Sequence, residues 1–71
     1  MYRGRVKLTV NGEPREVPDG ATVSALLESL NIPTTGVAVE VNQAIVRRAR
    51  HGEVRLSAGD RVEIVTFVGG G

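Results

Sequence analysis

The absence of cysteine is the feature that most limits how this chain can fold. Its 71 residues include no cysteine and one histidine, His51. Neither a disulfide framework nor a Cys/His zinc site can therefore stabilise the chain. A domain of this length must depend on its hydrophobic core alone. The hydrophobic fraction of 41% and the charged fraction of 24% are typical of a globular protein, so one folded domain is predicted.

Charge and aromatic content argue against several classes of function. The net charge is +1 and aromatic residues make up 3% of the chain, which disfavours a nucleic-acid surface. No apolar run approaches the roughly 18 residues of a membrane helix, and no signal peptide opens the chain. We expect a cytoplasmic protein that is monomeric on its own, with neither a nucleic-acid nor a membrane partner.

The first half of the sequence predicts a β-hairpin followed by a helix. Residues 5–10 alternate between apolar and polar types, and Asn11-Gly12 is a strong hairpin signal before a second strand at 13–17. Pro14 restricts that second strand to an edge of the sheet. Thr22 is a plausible N-cap for a two-turn helix that ends near Asn31. The apolar stripe of this helix is Val23, Leu26, Leu27 and Leu30.

The second half predicts strands. Residues 37–42 alternate, Ile45-Val46 is a short extended piece, residues 54–56 suggest another, and residues 61–67 form a β-branched final strand. One helix covers one face of a sheet, so the fold class is α+β, with a mixed four- to five-stranded sheet and the helix on one face. The other face remains solvated, but Val65 and Phe67 are expected to lie on it.

No catalytic constellation is evident. The acidic residues are dispersed, and Asp60 is interpreted as a turn residue that binds local backbone amides. His51 lies in a predicted loop, where a lone histidine is usually a solvated surface residue. Arg47, Arg48 and Arg50 form a positive cluster, which is either a solvated loop or a docking patch for an acidic partner.

The sequence finishes in Phe67-Val68-Gly69-Gly70-Gly71. Such a glycine segment is expected to be mobile, and residues 68–71 could extend at most ~14 Å. Glycines lack Cβ atoms and can enter a narrow channel, so the segment could deliver its α-carboxylate to another protein. That carboxylate is unreactive towards nucleophiles until it is activated, for example by adenylation. A frayed end or an expression scar remains the alternative interpretation.

The whole pattern resembles the ThiS family of sulfur carrier proteins, which has a ubiquitin-like β-grasp fold. The resemblance covers roughly residues 5–71 and depends on several pieces in order. They are Asn11-Gly12, the helix start Thr22-Val23 with Leu26-Leu27, the segment 37–42, Ile45-Val46, and the segment 59–64 running into the glycine end. It implies a β-grasp domain at 1–67, with 1–4 a loose leader, and a flexible tail at 68–71.

By this resemblance, Gly71 is the site of chemistry and the chain is a carrier, not an enzyme. A ThiF-type adenylyltransferase would use ATP and Mg to activate Gly71. A sulfurtransferase or cysteine desulfurase would supply sulfur for a thiocarboxylate, and a ThiG-type thiazole synthase would accept it. No stably bound cofactor or metal is implied. Gly69 and Gly70 would form a slim, flexible extension that carries the Gly71 carboxylate away from the domain. The residues assigned to partner binding are Val65, Phe67, Val68, Arg47 and Arg48.

The sequence departs from the family pattern in several places, and other functions stay open. Residues 1–4 are an extra leader, and the tail has three glycines rather than two, as in some members of the family. Val46-Arg47-Arg48 replaces a common Val-Pro-Arg, and His51 replaces a common Trp. The alternatives are the small subunit of molybdopterin synthase, a carrier for cysteine or tRNA thiolation, or a β-grasp interaction domain with an inert tail. An enzyme is the weakest alternative. The short length and the Val-Gly-Gly-Gly end favour thiamine biosynthesis.

Overall fold

The computed structural model describes residues 4–33 and 35–67. The elements are β1 (Arg5–Val10), β2 (Glu13–Pro18), α1 (Val23–Ser29), β3 (Val37–Val41), β4 (Ala44–Val46), a 3₁₀ helix (Arg48–Arg50) and β5 (Arg61–Thr66). The predicted order of strands and helix is confirmed. The predicted tail at 68–71, and residues 1–3 of the predicted leader, lie outside the described residues, so those two predictions stay predictions.

The strands form one mixed sheet in the order β2-β1-β5-β3-β4. β1 runs parallel to β5, while the other neighbours are antiparallel. The predicted mixed sheet is therefore confirmed, with five strands. β2 is an edge strand, and no further strand in the described part of the chain pairs with its outer side. Pro14, which has no N–H, is tolerated there because no inter-strand hydrogen bond is required on that side.

Two tight turns depend on residues in the left-handed region. The predicted hairpin turn has φ of 51° at Asn11 and 84° at Gly12, as a type I′ turn requires. A second turn, which was not predicted, joins β3 to β4 through Asn42 and Gln43, with φ of 54° and 71°. Asparagine adopts this region more readily than most residues, because its short polar side chain can hydrogen-bond locally. β4 is thus the return strand of a hairpin.

The core lies between α1 and one face of the sheet. Val23, Leu26 and Leu27 of the predicted helical stripe are at most 1% exposed, and Leu30 packs at the margin. The sheet residues that meet them are those predicted to face inward, among them Leu8, Val39, Val62 and Ile64. Burial of this apolar face is what holds one short helix onto the sheet.

The N-terminus of α1 is capped by Thr22 and by backbone carbonyls of residues 51 and 54. The Thr22 hydroxyl accepts the Ala25 N–H at 3.1 Å, which confirms the predicted N-cap. The N–H groups of Val23 and Ser24 donate to carbonyls of residues 54 and 51, at 3.0 and 2.9 Å. The brief extended segment expected at 54–56 contributes one isolated antiparallel bridge, between Arg55 and Thr22, and is not one of the strands of the sheet. The nearby carbonyls also accept hydrogen bonds from the first N–H groups of α1.

The prediction that His51 is a solvated surface residue was wrong. The side chain is buried, with 2% of the residue exposed. Its Nε2–H donates to the carbonyl of Val46 at 3.1 Å, while Nδ1 is buried without a hydrogen-bond partner among the described residues. The His51 carbonyl accepts the N–H of Ser24. These two contacts join the 3₁₀ helix to β4 and to α1, so His51 has a structural role.

Candidate partner-binding site

The chain leaves the sheet at the end of β5. Thr66 pairs with Val37, the first residue of β3, and the Phe67 N–H donates to the Gly36 carbonyl at 2.8 Å. Phe67 is the last residue that the structure describes before segment 68–71. The predicted site residues Val68, Gly69, Gly70 and Gly71 lie outside the described residues. What the structure places is the point from which they depart.

An exposed apolar surface lies beside this exit point. Val65 is 54% exposed and Phe67 is 63% exposed, which confirms their predicted outward orientation. Val65 pairs with Ala38, and Ile45 in β4 is 75% exposed. We call Ala38, Ile45, Val65 and Phe67 the outer apolar surface. It lies on the sheet face opposite α1, and exposed large apolar groups of this kind mark interaction sites when they are clustered.

Ile45 was not assigned to this surface from the sequence. The available signal was strand alternation, because Ile45 precedes Val46, which is buried. Reading that signal requires knowing that Val46 pairs with Val39 on the core side. The sequence alone did not supply this register.

Arg47 lies towards the same end of the sheet as Phe67. β4 runs antiparallel to β3, with Val46 opposite Val39, so the residue after Val46 lies towards the beginning of β3. Arg47 and Arg48 are both exposed. The third arginine of the predicted cluster, Arg50, pairs with Glu53 at 3.1 Å, and an exposed pair of this kind contributes little stability. Arg47 and Arg50 line a cavity together with Ile45 and so border the outer apolar surface, whereas Arg48 is exposed but is not placed in contact with that surface.

Amide side chains hold β5 in place on both sides. The Asn11 amide donates from Nδ2 to the Ile64 carbonyl at 3.1 Å and accepts the Ile64 N–H at 2.8 Å. On the other side, Asn42 Oδ1 accepts the Arg61 N–H at 3.0 Å. Asn11 thus continues the pairing of β1 with β5 after the β1 backbone has entered its turn. The strand that leads to the glycine segment is firmly anchored.

Asp60 has the predicted turn role. Its carboxylate accepts the Ser57 N–H at 2.8 Å and the Asn42 side-chain N–H at 3.0 Å. Within residues 4–33 and 35–67, no group of three or more His, Cys, Asp or Glu side chains is placed to hold a metal ion. In the same ranges, no helix is long and apolar enough to cross a membrane.

The fold and the exposed surface together define the class of this protein. Within the described residues, a five-stranded mixed sheet with one α-helix on one face and exposed apolar side chains on the other describes a small β-grasp domain. The model of the ThiS family matches residues 8–71. The chain belongs to the ThiS family.

Individual relatives agree with this assignment. The chain is 44% identical over 66 residues to a thiazole synthase of Paramagnetospirillum magneticum, covering 93% of this chain but only 20% of that relative. It is 43% identical over 53 residues to the sulfur carrier protein ThiS of Bacillus subtilis, covering 75% of this chain and 80% of that protein. The chain thus spans about a fifth of the thiazole synthase but most of the sulfur carrier.

A solved structure supports the fold assignment. The crystal structure of the thiamine biosynthesis protein (ThiS) from Geobacter metallireducens matches with a TM-score of 0.79 and 35% identity, covering 93% of this chain and 100% of that one. The ubiquitin-like β-grasp fold expected from the resemblance is confirmed.

Proposed function

We propose that this chain is a sulfur carrier in thiamine biosynthesis and that the Gly71 carboxylate carries the sulfur. The observation that carries the proposal is that the family match runs through the glycines to Gly71. The name of the Bacillus subtilis relative and the exit of the chain beside an exposed apolar surface support it. In this role the chain is a protein substrate and not an enzyme.

The chemistry takes place on one carboxylate. A Gly71 oxygen attacks the α-phosphorus of ATP on a ThiF-type adenylyltransferase, and pyrophosphate leaves. The terminal sulfur of a cysteine persulfide, supplied through a sulfurtransferase or cysteine desulfurase, then attacks the acyl carbon and displaces AMP. A thiol reductant cleaves the resulting acyl disulfide, which leaves the thiocarboxylate and a disulfide. ATP and Mg bind to the partner, and the carrier holds no cofactor.

The glycine segment and its surroundings suit this transfer. Gly69 and Gly70 carry no side chain that could obstruct an active-site channel. Val65, Phe67 and Val68, with Arg47 at the border and the adjacent Arg48, form the proposed docking surface. A transient interface requires only an apolar centre with a polar rim.

A ThiG-type thiazole synthase is the proposed acceptor of the sulfur. The similarity of this chain to a fifth of a thiazole synthase supports that pairing, because a carrier-like segment there belongs to the same polypeptide as the synthase. Formation of thiazole from the thiocarboxylate form, with no transfer to a molybdopterin precursor, is the expected result. The opposite preference would assign the chain to the other pathway.

Reconstitution tests the proposal. The chain is incubated with the ThiF-type adenylyltransferase, ATP and Mg, and pyrophosphate release is measured. Removal of Gly70-Gly71, or addition of one alanine after Gly71, should abolish release because the carboxylate is displaced from the ATP. Glu28→Gln, on the exposed face of α1, is the matched control and should behave as the unmodified chain. Full activity of the truncated or extended form would contradict the proposal.

A further inference from the structure

Two glutamates face each other in the middle of the outer sheet face. Glu40 in β3 pairs directly with Glu63 in β5. Side chains that are directly opposite in an antiparallel pair have Cβ atoms roughly 5 Å apart, and two like charges there destabilise the sheet. The free protein therefore keeps an unfavourable pair at a position where strand pairing favours opposite charges.

Neighbouring residues do not neutralise this pair. Within residues 4–33 and 35–67, the ion pairs are Arg5–Glu16 and Arg50–Glu53, so neither Glu40 nor Glu63 takes part in one. Arg61 is the nearest cation along β5, on the same face, and forms no ion pair with either glutamate. On the side away from Phe67, Glu63 shares a cavity with Asn42, Gln43 and Arg61, whereas the side towards Phe67 is apolar. Ile45 lies beside Glu40, and the Ala38–Val65 pair follows on the side towards Phe67.

We propose that Glu40 and Glu63 form the anionic centre of the docking surface, where they bind an arginine or lysine side chain of the adenylating partner. This inference rests on the proposed function. A guanidinium can donate to two carboxylates at once, and apolar contacts around it would strengthen the interaction by excluding water. Binding would remove the repulsion that the free protein carries.

The position of the pair points to the enzyme that acts on Gly71. Phe67 lies four positions after Glu63, ~13 Å along the sheet, and residues 68–71 could extend at most ~14 Å further. An enzyme that holds the Gly71 carboxylate must therefore lie against this end of the domain. The outer face is anionic at Glu40 and Glu63 and cationic at Arg47. A partner with the complementary charges would therefore bind in one orientation.

The proposal predicts opposite effects of the same substitution on stability and on docking. Glu63→Gln removes the repulsion, so the free protein should unfold at a higher urea concentration. It also removes half of the anionic centre, so docking should weaken. Glu63→Lys forms a favourable pair with Glu40, so it should raise stability further and weaken docking further. A residue with only a structural role would change stability without this inverse effect on docking.

The experiment measures adenylation kinetics with Glu40→Gln, Glu63→Gln, the double variant and Glu63→Lys. The KM for the carrier should rise at least threefold in the double variant at low salt with kcat unchanged, and the difference should shrink at high salt. Glu13→Gln and Glu28→Gln remove an exposed carboxylate elsewhere and are the matched controls. An unchanged KM in the double variant, or an equal rise in the controls, would overturn the proposal.

The remaining outcomes separate this inference from the proposed function. No adenylation of the unmodified chain would overturn the proposed function, and the occupant proposed here with it. Normal adenylation with a KM insensitive to Glu40 and Glu63 would overturn only the docking proposal. Light scattering that showed self-association of the unmodified chain, lost in the double variant, would assign the surface to a second copy and overturn the proposed occupant.

Discussion

Replacement of Asn11 should show how much of the fold depends on a single amide. Asn11→Gly keeps a residue that accepts a φ of 51° but removes the two hydrogen bonds to Ile64, at 3.1 and 2.8 Å. Each such bond contributes about 1 kcal/mol net, so the free energy of unfolding should fall by about 2 kcal/mol. In a domain of this size that lowers Tm by roughly 10–15 °C.

Asn11→Ala adds a second effect that can be separated from the first. Alanine loses the same hydrogen bonds and also strains the left-handed turn, at a cost of roughly 1–2 kcal/mol. The total loss should therefore be about 3 kcal/mol. The difference between the two variants measures the backbone strain, and the loss in Asn11→Gly measures the amide bonds.

The assay is urea unfolding followed by far-UV circular dichroism, since the chain has no tryptophan. Gln43→Gly is the matched control. Gln43 also has a positive φ, 71°, but its side chain forms no hydrogen bond within the described part of the chain. This control should not destabilise the protein, because glycine relieves the left-handed strain at position 43 and no hydrogen bond is lost. If Asn11→Gly proved no more destabilising than Gln43→Gly, the proposed anchoring of β5 would be refuted.

Substitutions at three further positions test the core, the N-cap and the role of His51 by the same unfolding assay. Leu27→Ala should cost about 2–5 kcal/mol because the side chain is fully buried, and a loss below 1 kcal/mol would contradict that packing. Thr22→Ala should cost about 1 kcal/mol through loss of the N-cap, whereas Thr22→Ser should retain most of the stability. His51→Ala should cost about 2–4 kcal/mol, because it leaves a cavity and removes the donor to the Val46 carbonyl. His51→Phe should recover part of the loss, and an effect of His51→Ala as small as that of Arg48→Ala would show that the ring is not structural.

Local signals were sufficient to predict most of the fold. The alternation of residues 5–10, the Asn11-Gly12 turn and the stripe containing Leu26 and Leu27 each depend on neighbours within a few positions. The chain order of strands and helix limits how these pieces combine, since a single helix covers one face. For that reason the mixed sheet and the outward orientation of Val65 and Phe67 could both be predicted.

Features that depend on register or on distant partners could not be predicted. The Glu40–Glu63 pair arises only when β3 and β5 align. His51 is drawn inward because its carbonyl caps α1 and its ring meets β4, and neither contact is visible in a local window. The extended segment at 54–56 was expected, but its bridge to Thr22 and the hydrogen bond from the Val23 N–H to the Val54 carbonyl are tertiary contacts that no local pattern reveals.

The most direct test of the central claim is top-down mass spectrometry of the protein isolated from its native host during thiamine starvation. We expect a fraction whose intact mass shows one oxygen exchanged for sulfur, with fragments that place the exchange on Gly71. That fraction should disappear when the ThiF-type adenylyltransferase is deleted. A mature protein that continues beyond Gly71, or one that never carries sulfur while the adenylyltransferase is active, would refute the proposed sulfur-carrier function.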